Sequence, residues 1–223
     1  MAIATAAFAA DDLEYNAIDF GSGIIHHVAL SPDKFEFKVV YTNPPASVQE
    51  SHRRQPRAVL TVNGGYWTET YEPTDLLVSD GRVVKNVNRK SPFNGLFFVR
   101  GGKAAVRNLN EAPLSTAEQF QQAVKCGPLL VRKNHAVASK STTRHRRTVV
   151  GRDKAGRIFF LVTDGVLARY ADMTTVALEI PVRAEFAFNL DGGGSTGLAF
   201  DVGERKISVH SVPVGSVIQV LKD

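Results

Sequence analysis

The sequence predicts an α+β fold built on a mixed, mostly antiparallel β-sheet with a few short helices. Three observations lead there. Apolar and polar residues alternate over many short stretches, which is the period of a half-buried strand. Four further runs are apolar throughout, as suits central strands covered on both faces. The 18 Gly and 10 Pro of the 223 residues fall between these runs rather than in one linker, so turns are frequent.

Taken in order, residues 1–12 (MAIATAAFAADD) are rich in alanine and resemble the small-residue end of a secretory signal, without a basic n-region. They are read as a signal remnant or a disordered N-terminus. A periplasmic or secreted location is expected on that basis, with a cytoplasmic one as the alternative. Residues 13–223 are read as a single domain, a length that suits one large core.

Alternating strands are predicted at 14–20, 24–30, 34–41, 93–100, 103–107, 206–210 and 216–221. In KFEFKVVY (34–41), Phe35, Phe37, Val39 and Tyr41 share one face. Strands apolar on both faces are predicted at 58–62, 128–131, 158–162 and 184–188. A helix is predicted over 115–124, because Ser115 and Glu118 have capping-box spacing. A second is expected over 173–180, ended by Pro181, and a third, short and exposed, within 43–54. No repeat of 20 to 50 residues appears, which argues against a solenoid or propeller.

The formal charge of +5 and pI near 9.4 favour an acidic partner. Nucleic acid, an anionic envelope polymer or a phosphorylated small molecule would each qualify. Aromatic residues do not interleave with the basic ones and no nucleic-acid-binding signature is present, so nucleic acid is set aside. No apolar run approaches the roughly 20 residues of a transmembrane helix. A single cysteine, Cys126, excludes an internal disulfide framework and a cysteine-rich zinc site.

Candidate chemistry gathers where apolar strands end in an amide or carboxylate followed by glycine. These are VLTVNGG (Asn63, Gly64, Gly65), FFLVTDG (Asp164, Gly165) and FAFNLDGGG (Asn189, Asp191, Gly192, Gly193, Gly194). A rigid strand fixes such a side chain while the loop supplies the opening. Asp164-Gly165 alone could be a hairpin turn and nothing more. Three consecutive glycines exceed what a two-residue turn needs, so an anion-binding nest or a loop against which a sugar packs is expected at 192–194.

The loop lacks the Gly-Lys-[Ser/Thr] ending of a phosphate-binding P-loop and does not match G-x-G-x-x-G. Arg146 and Arg147 of RHRRT enter a strand, so one should face the cleft and clamp a phosphate. The wider basic run reads as a solvated loop. Trp67, the single tryptophan, follows a glycine pair together with Tyr66 and could form a sugar-stacking wall or simply pack in the core. His26 and His27 are adjacent in a strand, face opposite sides and cannot clasp one metal. No cofactor is required; an oxygen-ligated ion such as Ca²⁺ on Asp164, Asp191 or Asn63 is compatible with these residues.

NGGYW, CGPLLV, RRTVVG, FFLVTDG and NLDGGGST occur in this order over residues 57–221, and the chain thereby resembles the phosphodiester glycosidase family. That family includes an enzyme that uncovers mannose 6-phosphate by removing N-acetylglucosamine. The resemblance implies a phosphodiester-glycosidase-like fold with an active site made from these strand ends. It points to Asn63, Gly64, Gly65, Arg147, Thr148 and Asp164 with Gly165, then Asn189, Asp191, Gly192, Gly193 and Ser195. Trp67 departs from it, since phenylalanine is commoner there.

The implied reaction is hydrolysis of a sugar-1-phosphodiester, or of an envelope glycan carrying one, at the anomeric C–O bond. Free sugar, N-acetylglucosamine-like, and a phosphomonoester would be released. A phosphate monoester leaves without strong acid help, so one carboxylate plus phosphate donors could suffice. Asp191 is expected to act at the anomeric centre, with Arg147 and the amides of 192–194 on the phosphate and Asp164 as second carboxylate; the two aspartates could exchange roles. The alternatives are a non-catalytic envelope-glycan-binding module of the same fold and a metal-assisted phosphodiesterase cutting the P–O bond.

Overall fold

The computed structural model describes residues 4–10 and 12–222. In chain order its strands are β1 (Ala4–Ala10), β2 (Leu13–Phe20), β3 (Gly23–Leu30), β4 (Glu36–Ala46), β5 (Ala58–Asn63), β6 (Leu77–Ser79) and β7 (Arg82–Lys85). There follow β8 (Gly95–Arg100), β9 (Lys103–Asn108), β10 (Gln122–Cys126), β11 (Leu129–Arg132), β12 (His135–Ala136) and β13 (Thr148–Asp153). The last five are β14 (Ile158–Asp164), β15 (Ala184–Asn189), β16 (Leu198–Val202), β17 (Arg205–Val209) and β18 (Val214–Leu221). Two α-helices, α1 (Val48–Arg53) and α2 (Tyr170–Leu178), complete the set.

Three sheets result, with orders β1-β2-β3-β14-β13-β15-β11-β12, β7-β6-β10-β8-β9 and β17-β16-β5-β18-β4. Every strand pairing among the described residues is antiparallel. The apolar runs fall at the middle of these sheets for the expected reason. Val150, Phe160, Val162 and Phe188 of the eight-stranded sheet enter one core with Leu60, Phe97 and Ile218 of the other two sheets. Val149, Phe159 and Leu161 face the other way, against Met173, Val176 and Ala177 of α2. A strand so covered has no face left for polar residues.

Over Ala4–Ala10 the alanine-rich stretch is not disordered but forms the edge strand β1 paired with β2; residues 1–3 and 11 lie outside the described residues. Two further expectations need correction. The helix expected over 115–124 is absent. Ser115 and Glu118 make a turn, with the Ser115 N–H donating to Glu118 Oε2 at 3.1 Å. Glu118 also pairs with Arg107, at 2.6 Å. Gln122–Cys126 then become a strand held on both sides, by β8 and β6. The third helix, α1, is short but not exposed: Ser47 and Glu50 cap each other at 3.2 Å, and Val48, Gln49 and Ser51 are buried. Among the described residues no helix is long and apolar enough to cross a membrane.

One buried side chain sets an acid limit. His27 is fully buried with its ring against Phe159, and its Nδ1 lies 3.1 Å from Asn16 Nδ2. Burial pushes its imidazole down to about 4, with Glu14 and Asp153 opposing and Arg157 adding to the shift. The unfolded chain then binds the proton first, so stability is complete above the ordinary histidine value and is lost as pH falls towards 4. The loss is about 3 kcal/mol. Denaturation midpoints measured across that window should decline in the native chain and decline less in His27→Leu.

Candidate active site

Three strand ends from two sheets meet at one rim. β5 ends at Asn63, β13 begins at Thr148 and β15 ends at Asn189. Asn63 ties them together. Its Oδ1 accepts from Thr148 Oγ1 at 2.6 Å and from the Gly197 N–H at 3.2 Å, while its Nδ2 donates to the Asp191 carbonyl at 2.8 Å. Asn63 and Thr148 are buried, so their polar atoms serve the scaffold. With Oδ1 accepting twice, Asn63 is not free to ligate a cation. No trio of His, Cys, Asp or Glu side chains able to hold a metal occurs among the described residues. Asn63→Ala would leave a hydroxyl, an N–H and a carbonyl unpaired. It should cost about 2–4 kcal/mol in chemical denaturation.

The glycine pair after Asn63 is needed for close packing. A Cβ at Gly64 would lie 2.4 Å from Ser216 Oγ, and one at Gly65 would lie 2.6 Å from Val124 Cγ2. The Gly64 carbonyl accepts from the Asp191 N–H at 3.2 Å and so fixes the start of the next loop.

Asp191 is largely desolvated, and that burial raises its carboxyl above the ordinary aspartate range. The Ser195 hydroxyl, the Gly192 N–H and the Trp67 indole N–H oppose the rise. Of these the Gly192 N–H is the well-formed hydrogen bond, 2.8 Å to Oδ1. The Trp67 Nε1 is buried without an aligned partner, but it is near enough to favour the charged form. Trp67 lies flat on Tyr71, with centroids 4.6 Å apart and planes 10° apart. One of its faces is therefore covered within the protein.

The glycine loop differs from the expected anion nest. The Gly192 amide serves Asp191, the Gly193 amide donates to the Arg146 carbonyl at 2.9 Å, and Ser195 N–H closes a 3₁₀ turn onto Gly192 at 3.2 Å. Two of the three glycine amides are thus spent on protein acceptors, one in the loop and one on the strand entrance at Arg146. Gly193 takes φ +62°, the left-handed region that favours glycine, and a Cβ at Gly192 would meet the Arg146 carbonyl at 2.8 Å. The third glycine, Gly194, borders Val212, whose N–H donates to its carbonyl at 3.0 Å.

Arg146 and Arg147 diverge as alternation requires. Arg146 Nη2 braces the Thr196 and His210 carbonyls at 2.6 and 2.8 Å. Arg147 turns towards α2, where its guanidinium lies 3.9 Å from the Tyr170 ring centroid. Its Nε donates to the Ala168 carbonyl and its Nη2 to the Thr143 carbonyl, both at 3.1 Å. Arg147 is 4% exposed, and it has no carboxylate partner among the described residues. Its methylene chain runs beside the Asp191 loop, since a Cβ at Gly192 would be 3.9 Å from its Cδ.

Asp164 ends β14, on the other side of β13 from the strand leading to Asp191. Its side chain is 47% exposed and one oxygen lies 3.3 Å from His26 Nε2. Sequence reasoning gave no role to Tyr170 or His26 and considered Tyr66 only, with Trp67, as a sugar-stacking wall. Tyr66 donates to the Gly127 carbonyl at 2.8 Å, accepts from Asn189 Nδ2 at 2.9 Å and stacks on Phe93; burial pushes its phenol up. The NGGYW motif contained that signal. Nothing local marks Tyr170 or His26: His26 reaches Asp164 through the pairing of β3 with β14, and Tyr170 meets Arg147 from the start of α2.

Three buried polar atoms around the Asp191 loop lack a hydrogen-bond partner among the described residues: Asn189 Oδ1, Thr196 Oγ1 and Trp67 Nε1. Orphaned groups of this kind cost about 1–3 kcal/mol each.

The sequence model of the phosphodiester glycosidase family matches residues 56–221. The uncharacterized protein YigE of Escherichia coli (strain K12) is 27% identical over 119 residues, covering 49% of this chain. That alignment spans only 46% of YigE, so the chain matches less than half of that relative's length. Among solved structures, the catalytic domain of zebrafish N-acetylglucosamine-1-phosphodiester alpha-N-acetylglucosaminidase, auto-inhibited by its pro-peptide, superposes with a TM-score of 0.70. It is 19% identical, and the match covers all of this chain and 88% of the zebrafish one. A hypothetical protein from Synechocystis gives a TM-score of 0.68 at 14% identity, covering 96% of this chain and 62% of its own. At these identities the likeness speaks for the fold.

Proposed function

Because the chain belongs to the phosphodiester glycosidase family, we propose that it hydrolyses a sugar-1-phosphodiester at the anomeric C–O bond. The products are a free sugar, N-acetylglucosamine-like, and a phosphomonoester. The observation that carries this reading is the buried Arg147 guanidinium, solvated by two carbonyls and a tyrosine face but neutralised by no carboxylate among the described residues. An uncompensated buried cation is costly. A phosphodiester seated on its remaining N–H donors would neutralise it.

Asp191 suits the other half of the reaction. A desolvated carboxylate with a raised pKa is a stronger base than one in water. It takes a proton from a water that attacks the anomeric carbon. As the C–O bond breaks, its electron pair leaves on the phosphate oxygen. That oxygen belongs to a good leaving group, with a second pKa of about 6, so no strong general acid is needed. Asp164, half exposed across β13, serves as the second carboxylate facing the sugar. Asn63, Thr148 and Asn189 hold the rim that carries Asp191. A periplasmic or secreted setting, where envelope glycans offer such bonds, belongs to the same reading.

Incubation with an N-acetylglucosamine-1-phospho-alkyl diester, with and without chelator, tests it. Free N-acetylglucosamine in both conditions is expected. Sugar phosphate that disappears with chelator would assign a metal-assisted phosphodiesterase, and binding without product would assign a glycan-binding module.

A further inference from the structure

Asp164 is held from behind by residues of the β2–β3 hairpin, which precedes the residues matched by the family model. His26 of β3 pairs with Val162 of β14 and with Ala17 of β2. Asp164 lies two residues beyond Val162 and therefore on the same face. His26 Nε2 is 3.3 Å from Asp164 Oδ2, and His26 Nδ1 is 2.9 Å from the Tyr15 hydroxyl. The Tyr15 ring stacks on Phe200 at 5.4 Å, with the Arg205 guanidinium 5.5 Å from its centroid. The inner members are buried, at 3% for Tyr15 and 5% for His26, whereas Asp164 opens outward.

The proton positions follow from the partners. An ionised carboxylate only accepts, so the Nε2 facing Asp164 carries the hydrogen. Nδ1 then accepts from Tyr15, whose phenol burial keeps protonated. Burial also outweighs the pull of Asp164 and keeps the His26 imidazole below its ordinary value, hence neutral near pH 7. The neighbours on this face are apolar: Ala17, Val28 and Val162 enter the central core. An aliphatic residue at position 26 would fill that space without desolvating two polar groups.

We propose that Tyr15, His26 and Asp164 form a positioning chain. His26 fixes the rotamer of Asp164 so that its second oxygen faces the substrate, and Tyr15 fixes the tautomer of His26. The proposal rests on Asp164 being a substrate-facing carboxylate, as in the function proposed above. His26 and Tyr15 are positioning residues and touch no substrate.

Two measurements on the full chain test the proposal. The first is turnover of the N-acetylglucosamine-1-phospho-alkyl diester by His26→Leu, His26→Gln and Tyr15→Phe. His26→Leu should lower kcat by about 10- to 100-fold, the scale of a misplaced reacting group, with KM changed less than about threefold. His26→Gln, whose amide nitrogen can replace Nε2, should recover most of the loss. An unchanged kcat in His26→Leu, or no recovery in His26→Gln, would overturn the proposal. The second is the ¹⁵N spectrum of the His26 ring in the native chain, which depends on neither folding variants nor turnover. An Nε2–H tautomer is expected, becoming mixed in Tyr15→Phe; an Nδ1–H tautomer would overturn the chain. Should the native protein turn over no sugar phosphodiester, the function proposed above fails alone, and the tautomer still decides the chain.

Discussion

Asp191→Asn should abolish turnover and leave the protein at least as stable as the native chain. Asp191 is a desolvated carboxyl whose pKa burial raises. For such an acid the protonated form is favoured by folding, so its contribution is present below the unfolded value and lost as pH rises through the folded one. At neutral pH the native protein therefore carries a buried charge at some cost. Asparagine removes that charge, and its side-chain oxygen can still accept from the Gly192 N–H now held at 2.8 Å. The melting temperature should be unchanged or higher at pH 7, and the difference should vanish in acid. Turnover should fall by about 10³-fold or more, within the range for removing a general acid or base. A variant that loses stability and keeps turnover would make Asp191 a scaffold residue.

The second large effect concerns Arg147. Arg147→Met should lower kcat/KM by about 10²- to 10³-fold, as when a donor to developing negative charge is removed. Arg147→Lys should not restore it, because an ammonium cannot bond the Ala168 and Thr143 carbonyls while stacking on Tyr170. A readout without substrate is available. Inorganic phosphate should raise the melting temperature of the native chain by occupying the site, an effect of about 2.7 kcal/mol at one hundred times Kd. Neither variant should respond. An equal response in Arg147→Met would place the anion elsewhere.

These residues also show what the sequence made legible. The runs at Ala58–Asn63, Ile158–Asp164 and Ala184–Asn189 announced buried strands because both faces of each are covered, and that leaves a continuous apolar stretch. Their polar ends announced a rim. The helix expected at 115–124 did not form because the Ser115–Glu118 pair fixes only a single turn, whereas Gln122–Cys126 are claimed by pairing with β8 and β6. The short strands Leu77–Ser79 and Arg82–Lys85 gave too few residues for a period to show.

Within the site, residue types were readable but their partners were not. Alternation separated Arg146 from Arg147, and only the fold shows that Tyr170 and α2 receive Arg147. The three glycines suggested free amides, but the Asp191 carboxylate and the Arg146 carbonyl consume two of them. Likewise, strand alternation excluded a metal clasp at His26 and His27 but could not reveal that His26 reaches Asp164, 138 residues away in sequence.

The central claim is that the bond broken is the anomeric C–O bond. Hydrolysis of N-acetylglucosamine-1-phospho-alkyl diester in ¹⁸O-water, with mass analysis of the alkyl phosphate, tests it most directly. Water attacking the anomeric carbon leaves every phosphate oxygen unlabelled, and unlabelled alkyl phosphate beside free sugar is the predicted result. One ¹⁸O in the phosphate would show attack at phosphorus and contradict the account.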